Sequence, residues 1–479
     1  MKGLEISEAK EGSLERTKRL DAEFFLRAHV DADLRLRGLR TETIPQVSAV
    51  SDGNHFSISE EFADEGVPYY RGQDVVGHFF VEQAQPRRIT QKAFEQDHMK
   101  RSHLRKGDVL LSIVGTIGEL SLVKTVEEAT CSCKLAILRP KSISPEYLAA
   151  FLTSRIGRLQ TERWKRGAVQ MGLLLEDMDQ IIVPRWRNGL EDRIACLVNN
   201  AYSALEKAEA ALHKSEKTLM EALGLDHWQP PEPLTYTRKA SDVFNAGRFD
   251  SEHFHPKFDA LRDLIRARIL DVIRLGGAIE PVINGFDFRD FVEEGTPYIR
   301  VGDVRKGIID LAGAQKVPIT ASSITKDVGI RIGDVLFTRK GSYGNAAHVR
   351  PGQEKAIISS EIMRIRLRAE WRGRILPEVL ATYLNSLAGK YQAEKWAHGV
   401  AFYSISQEDL AGFEVAILSQ GEQDKIKKLI DEAEKSRRRA RALLEQAKRA
   451  VEIAVEESEA AAMSFLAEPL KEEATLKNG

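Results

Sequence analysis

The sequence predicts a mixed α/β (α+β) protein built as two similar halves separated by two long antiparallel coiled-coil helices, with an approximate two-fold relating the halves. Three observations predict it. Distinctive stretches recur in the same order after about 230 residues. Each copy carries short strand-forming runs entered by Gly-Asp turns. Each copy also ends in a long run of heptad spacing with no proline in the seam.

The repeats follow one another along the chain. "RLDAEFF" (Arg19 to Phe25) returns as "RFDSEHF" (Arg248 to Phe254). "GVPYYRGQDV" (Gly66 to Val75) returns as "GTPYIRVGDV" (Gly295 to Val304). "KGDVLLSIVGTIGEL" (Lys106 to Leu120) is echoed by "IGDVLFTRKGSYGNA" (Ile332 to Ala346). "PEYLAAFLTSRIGRLQTERWKRG" (Pro145 to Gly167) is echoed by "PEVLATYLNSLAGKYQAEKWAHG" (Pro377 to Gly399). Units of this size are domains with their own cores rather than solenoid repeats.

Within each half, "DVLLSIV" and "DVLFTR" read as strands. "GTIG" (Gly115 to Gly118) and "GSYG" (Gly341 to Gly344) read as tight hairpin turns, with a phosphate cradle as the less common alternative. Ser144 and Pro145 open an amphipathic helix as N-cap and first helical residue, whereas its counterpart keeps Pro377 but has Leu376 before it. Trp164 and Trp396 recur and read as core anchors. His253 and His255 lack a histidine pair in the first half and read as turn or surface residues.

The first long helix has a seam of Ile194, Val198, Ala201, Leu205, Ala208, Leu212, Ser215, Leu219 and Ala222. The second has Ile426, Ile430, Ala433, Arg437, Ala440, Leu444, Ala447, Val451 and Ala454, with Arg437 interrupting the apolar run, and is expected to continue to about Ala462. A helix of ~35 residues is ~50 Å long, longer than one DNA turn of ~34–36 Å. The expected divisions are residues 1–188, a first globular half; 189–224, the first long helix; 225–240, a Pro-rich linker; 241–420, the second half; 421–465, the second helix; and 466–479, a flexible tail.

Composition excludes several classes. No apolar run approaches the ~20 residues of a membrane span, and the charged N-terminus lacks a signal-peptide core, so no membrane association and a cytoplasmic location are expected. Three cysteines make no disulfide framework, and "CSC" (Cys131 to Cys133) lacks further metal ligands, so Cys131 and Cys133 read as semi-buried strand residues. The net charge is -1, but this sum conceals a basic stretch between Arg300 and Arg374, including Arg305, Lys316, Lys326 and Arg331, and an acidic C-terminal end, including Glu472 and Glu473. No Walker motif, HExxH, GxSxG or convincing GxGxxG occurs. The only Pro-Pro lies in the linker, at Pro230 and Pro231, so the proline-containing stretch that holds a flipped base in a DNA methyltransferase is not found. Binding is favoured over catalysis.

Taken together, these motifs resemble the specificity subunits of Type I restriction–modification systems, over nearly the whole chain. The resemblance rests on the doubled motifs above and on "QTERWKRGAVQMGLLLEDMDQIIVP" (Gln160 to Pro184), which looks like that family's domain ending before a long helix. It implies two target-recognition domains, each reading one half of a bipartite site on double-stranded DNA. The helix pair would set the gap and dock two methyltransferase subunits. S-adenosylmethionine would sit on those partners and no cofactor on this chain. In a full complex, restriction and translocase subunits would join. The longer second helix, with Arg437, Arg438 and Arg439, departs from the common pattern and admits a related methylation-linked phage-defence system.

Candidate DNA-binding residues in the first half are Arg71, Gln73, Lys100, Arg101, Lys165 and Arg166; in the second half they are Arg300, Lys306, Arg339, Lys340, Ser342, Tyr343 and Lys395. Arg71 and Arg300 belong to the shared frame and are expected to be structural or to meet phosphate. Arg339, Lys340 and Tyr343 replace Ile113, Val114 and Ile117 and are better specificity candidates. No catalytic or metal-binding residue is expected. The alternatives are a methyltransferase or nuclease with a hidden active site, and a coiled-coil protein-binding scaffold.

Overall fold

The computed structural model describes residues 19–125, 127–167, 171–311, 313–320, 328–399 and 403–468. Lys326, Glu472, Glu473 and most of the expected tail lie outside the described residues. The chain divides into two compact units. One takes the described residues up to Glu206 and again from Ser436; the other is Lys207–Lys435.

The first unit is built on an antiparallel sheet in the order Ser48–Asp52, Leu135–Pro140, Val109–Ser112, Leu120–Leu122. The second unit repeats that order with Ile283–Asn284, Ile362–Ile365, Val335–Thr338, Ala346–His348. Every residue of Val109–Ser112 and Val335–Thr338 is buried, because both faces of each sheet are covered. Val109 and Leu111 pack towards helix Pro145–Thr153, while Leu110 packs with Tyr70, Val75 and Cys131. In the second unit Val335 and Phe337 take the helix side, and Leu336 joins Ile299, Val304 and Ile358. The period-2 alternation of a strand thus feeds two apolar layers at once.

The second layer is also repeated. Val67–Tyr70 pairs antiparallel with Arg87–Ile89 and parallel with Thr130–Cys131. Thr296–Ile299 pairs antiparallel with Gln315–Val317 and parallel with Ile357–Ile358. Cys131 is a strand residue, as expected, but fully buried, whereas Cys133 is half-buried in the turn that follows rather than in a strand.

Each unit then has a helical hairpin: Pro145–Thr153 with Arg155–Trp164, and Pro377–Asn385 with Leu387–Trp396. Ser144 caps the first by accepting from Tyr147 N. Leu376 has no capping side chain; its amide instead donates to Gln423 Oε1 at 3.0 Å. The two helices of each hairpin approach closely at a glycine. A Cβ on Gly157 would lie 2.2 Å from Phe151 O, and one on Gly389 would lie 2.2 Å from Leu384 O.

The long helices span Leu190–Leu223 and Gln420–Glu456. Within the first unit, Ile194 and Val198 join Ala447, Val451 and Ala454, and Ala201 and Ala204 meet Ala440 and Leu443. Within the second, Leu219 and Leu223 join Ile426 and Ile430. Rising numbers on one helix meet falling numbers on the other, so the pairing is antiparallel. The seam read from sequence holds through Arg437, which is half-buried, while Arg438 and Arg439 face outward. Gly224, with φ 72°, ends the first helix.

Two expectations need correction. The second long helix stops at Glu456 rather than near residue 462 or 465: Ser458 is extended and caps a separate helix, Glu459–Ala467, by accepting from Ala461 N. The break lets Ala462 and Leu466 enter the first unit's core. His253 does lie in a short turn, Glu252–Phe254, but it is not at the surface. It is buried against Trp396 at 5.0 Å between ring centroids, as Phe24 packs on Trp164 at 5.0 Å in the first unit. The ring demands an aromatic partner, and His supplies one while its Nδ1 bonds Lys395 O at 2.8 Å.

Candidate nucleic-acid interface

The repeated motifs form a common frame. Arg19 forks onto Asp21 and donates from Nη2 to Lys165 O at 3.1 Å; Arg248 forks onto Asp250 and donates from Nη2 to Ala397 O at 3.2 Å. The Arg248 guanidinium holds the Asp250 carboxyl at a pKa of about 2. Gln160 makes a two-way clamp on Ile182, and Gln392 makes the same clamp on Glu414.

The repeated "GDV" supplies a buried acid to each sheet. Arg139 meets Asp108 through Nε at 2.8 Å and Nη2 at 2.7 Å; Arg366 meets Asp334 through the same two nitrogens at 2.7 Å each. Both aspartates also accept the amide three residues earlier, from Arg105 or Arg331. Such two-point pairs fix the strand ends rather than read a ligand.

The opening pair of stretches is part of the same frame. Asp74 Oδ2 accepts the Arg71 amide at 2.9 Å, and Asp303 Oδ2 accepts the Arg300 amide at 2.8 Å. The Arg71 guanidinium folds back onto Asp74 through Nε at 3.0 Å and Nη2 at 3.1 Å.

This frame presents an edge in each unit. In the first, Gly72 lies against Ser112, Val114 O and Lys134. Hairpin residue Ile113 bonds Lys134 O through its amide and Leu173 N through its carbonyl, and Arg166 and Gly172 exchange backbone bonds at 2.7 Å. Ser132 N reaches Tyr70 O and Asn54 N reaches Cys131 O, which brings the Asp52 to Asn54 strand end to the same edge. Arg71, Gln73, Arg101 and Arg166 are therefore gathered there, but three of them are engaged: Arg71 by Asp74, Arg101 by Asp52 and Arg166 by Asp177 at 2.7 Å. Lys100 pairs with Asp97 on the adjacent turn and Lys165 reaches Glu23 at 3.5 Å. Gln73 is exposed.

The second edge is equivalent in backbone and different in side chains. Arg339 N bonds Glu361 O at 2.9 Å, and Ile405 exchanges bonds with Arg339. Lys340 bridges Ser404, and Tyr343 lies 6.1 Å from Tyr403 between ring centroids. Burial pushes the Tyr343 hydroxyl pKa up. Ser342 and Lys340 are exposed. Lys395 is not on this edge: its ammonium is 3.8 Å from Asp259, and burial lowers its pKa. Lys306 is also elsewhere, beside Lys390.

Sequence reading missed Lys134 and its counterpart Glu361, which occupy the same place beside the hairpin with opposite charge. The signal was present in "CSCK" against "ISSE" (Ile358 to Glu361) but only strand pairing aligns them. The two hairpins have matching turns, with Gly118 N bonding Ser112 O and Gly344 N bonding Thr338 O. Among the described residues no group of three or more His, Cys, Asp or Glu residues is arranged to hold a metal ion. No described helix is long and apolar enough to cross a membrane.

No protein-family model matches the chain, and no curated protein matches it. Solved structures do. The S subunit of a Type I restriction-modification system from M. genitalium is 14% identical, with a TM-score of 0.35, covering 90% of this chain and 96% of that one. The HsdS subunit from Thermoanaerobacter tengcongensis is 15% identical, with a TM-score of 0.26, covering 88% and 96%. A structure described as showing complex assembly and conformational transition of the type I R-M system is 16% identical, with a TM-score of 0.26, covering 89% and 96%.

The chain is similar to Type I S subunits.

Proposed function

We propose that this chain is the non-catalytic DNA-specificity subunit of a Type I restriction–modification system, or of a related methylation-linked phage-defence system. Each unit reads one part of a bipartite duplex site, and the helix pair sets the gap and docks two methyltransferase subunits. S-adenosylmethionine belongs to those partners, and restriction and translocase subunits join in a full complex.

One observation carries this reading. The frame is duplicated down to its hydrogen bonds, yet equivalent edge positions carry different side chains: Gln73 against Gly302, Ile113 against Arg339, Val114 against Lys340, Lys134 against Glu361. Two copies of one scaffold with unlike polar edges suit the reading of two unlike base sequences. Lysine and arginine supply phosphate affinity, while Gln, Arg and Glu discriminate base edges.

The test assembles the chain with the methyltransferase from neighbouring genes and maps the methylated positions. A two-part motif with a fixed gap is expected. Sequence-blind methylation, or methylation or cutting by this chain alone, would overturn the reading.

A further inference from the structure

In the first unit, Glu119 closes a small charge cluster. Its Oε1 accepts from Arg158 Nη2 at 2.9 Å and its Oε2 faces Gly77 N at 3.4 Å. The repeat alignment places Lys390 where Arg158 stands and Asn345 where Glu119 stands, and Lys306 immediately precedes Gly307, whose φ of 73° matches the 74° of Gly77. One cation and one carboxylate thus become two cations and a neutral amide.

Local structure brings the three positions together in the second unit as well. Lys306 is on the turn between Val304–Arg305 and Ile308–Ile309, and Gly307 N bonds Ala346 O at 2.8 Å, next to Asn345. Asn385 holds Ala346 from the other side, accepting its amide at 2.9 Å and donating to its carbonyl at 2.7 Å, and Lys390 lies on the helix that follows. Asn345 turns its amide to Ser342 O at 3.0 Å.

Lys306 and Lys390 are both exposed, and Lys306 is the cation that acts on Lys390. Desolvation first, and then the Lys306 charge, lowers the Lys390 pKa. Glu216, on the first long helix, opposes this weakly, and neither lysine has an ion-pair partner within 4 Å among the described residues. Converging like charges of this kind call for an anion.

We propose that Lys306 and Lys390 form an oxyanion site that takes a phosphate group in place of the carboxylate Glu119 supplies in the first unit. The phosphate comes from a duplex backbone diester or from a free anion. Only that choice of source rests on the DNA-specificity reading; the site does not.

The first arm of the test is thermal unfolding of the full chain in phosphate against chloride at matched ionic strength. The natural chain is expected to gain about 2 °C in phosphate beyond a general salt effect. Lys306→Gln and Lys390→Gln should each remove that gain. Asn345→Glu, which installs the first unit's carboxylate, should remove it as well. A natural chain with no gain, or variants that all retain it, would overturn the proposal.

The second arm measures duplex binding of the methyltransferase-bound chain against salt. A slope reduced by about 1 in Lys306→Gln assigns the phosphate to the DNA backbone. An unchanged slope, with the thermal gain lost, assigns it to a free anion. Absence of sequence preference would sink the functional reading and leave the thermal result standing.

Discussion

At the scale of single residues, the pairs Asp108–Arg139 and Asp334–Arg366 show how charge is used inside this fold. Both aspartates are buried, but Arg366 is only 8% exposed where Arg139 is 32% exposed. Removing one partner of a buried pair strands the other charge. Asp334→Asn should therefore cost about 3 kcal/mol in urea unfolding, and Asp108→Asn about 1 kcal/mol, because water reaches Arg139. His348 makes a different prediction. Burial first and the Arg350 charge second lower its pKa to about 3, and Arg350 Nε donates to its Nε2 at 3.2 Å. Between pH 3 and 6.5 the unfolded chain binds the proton that folded His348 refuses, so stability falls as pH drops below about 6.5. His348→Gln keeps an acceptor for Arg350 and should show a shallower loss of Tm from pH 7 to 5. Sequence made Asp108 and Asp334 visible as part of "GDV", but their arginines lie about 30 residues away. Only strand pairing reveals them.

At the scale of elements, the strands, hairpin turns and helix starts that were legible each have a local cause. Ser144 and Pro145 start a helix, and Gly224 stops one. The glycines inside the helical hairpins carry a less visible constraint. Gly157→Ala or Gly389→Ala would drive a Cβ into backbone at 2.2 Å and should cost at least about 2 kcal/mol by denaturant midpoint. Gly277→Ala, with nothing within 4 Å of its Cβ, should change stability by less than about 0.5 kcal/mol. The helix break at Ser458 was not legible, since no Pro or Gly lies between Ala454 and Ser458 to mark a stop and only a Ser-Glu cap signals the new start. Packing decides: the following helix gains burial for Ala462 and Leu466 only by changing direction.

At the scale of the whole molecule, the duplication is the dominant fact. If the helix pair sets the gap between two half-sites, its length is a ruler. Inserting one heptad into each long helix keeps the seam in phase and adds about 10 Å to each. The methylated motif should then widen by about three base pairs, with both half-site sequences unchanged. Unchanged spacing would remove the ruler role. By itself the sequence determined the repeat, one central strand and one helix start in each half, the seam and its antiparallel sense, since these follow from local periodicity and from one helix leading into the next half. Only the tertiary structure decided that Arg71, Arg101 and Arg166 are held by Asp74, Asp52 and Asp177, that Lys395 is drawn to Asp259, and that Lys134 and Glu361 share one place. The reason is physical: a charged side chain's role is set by the charges that folding brings within a few ångströms, and those partners lie anywhere in the chain.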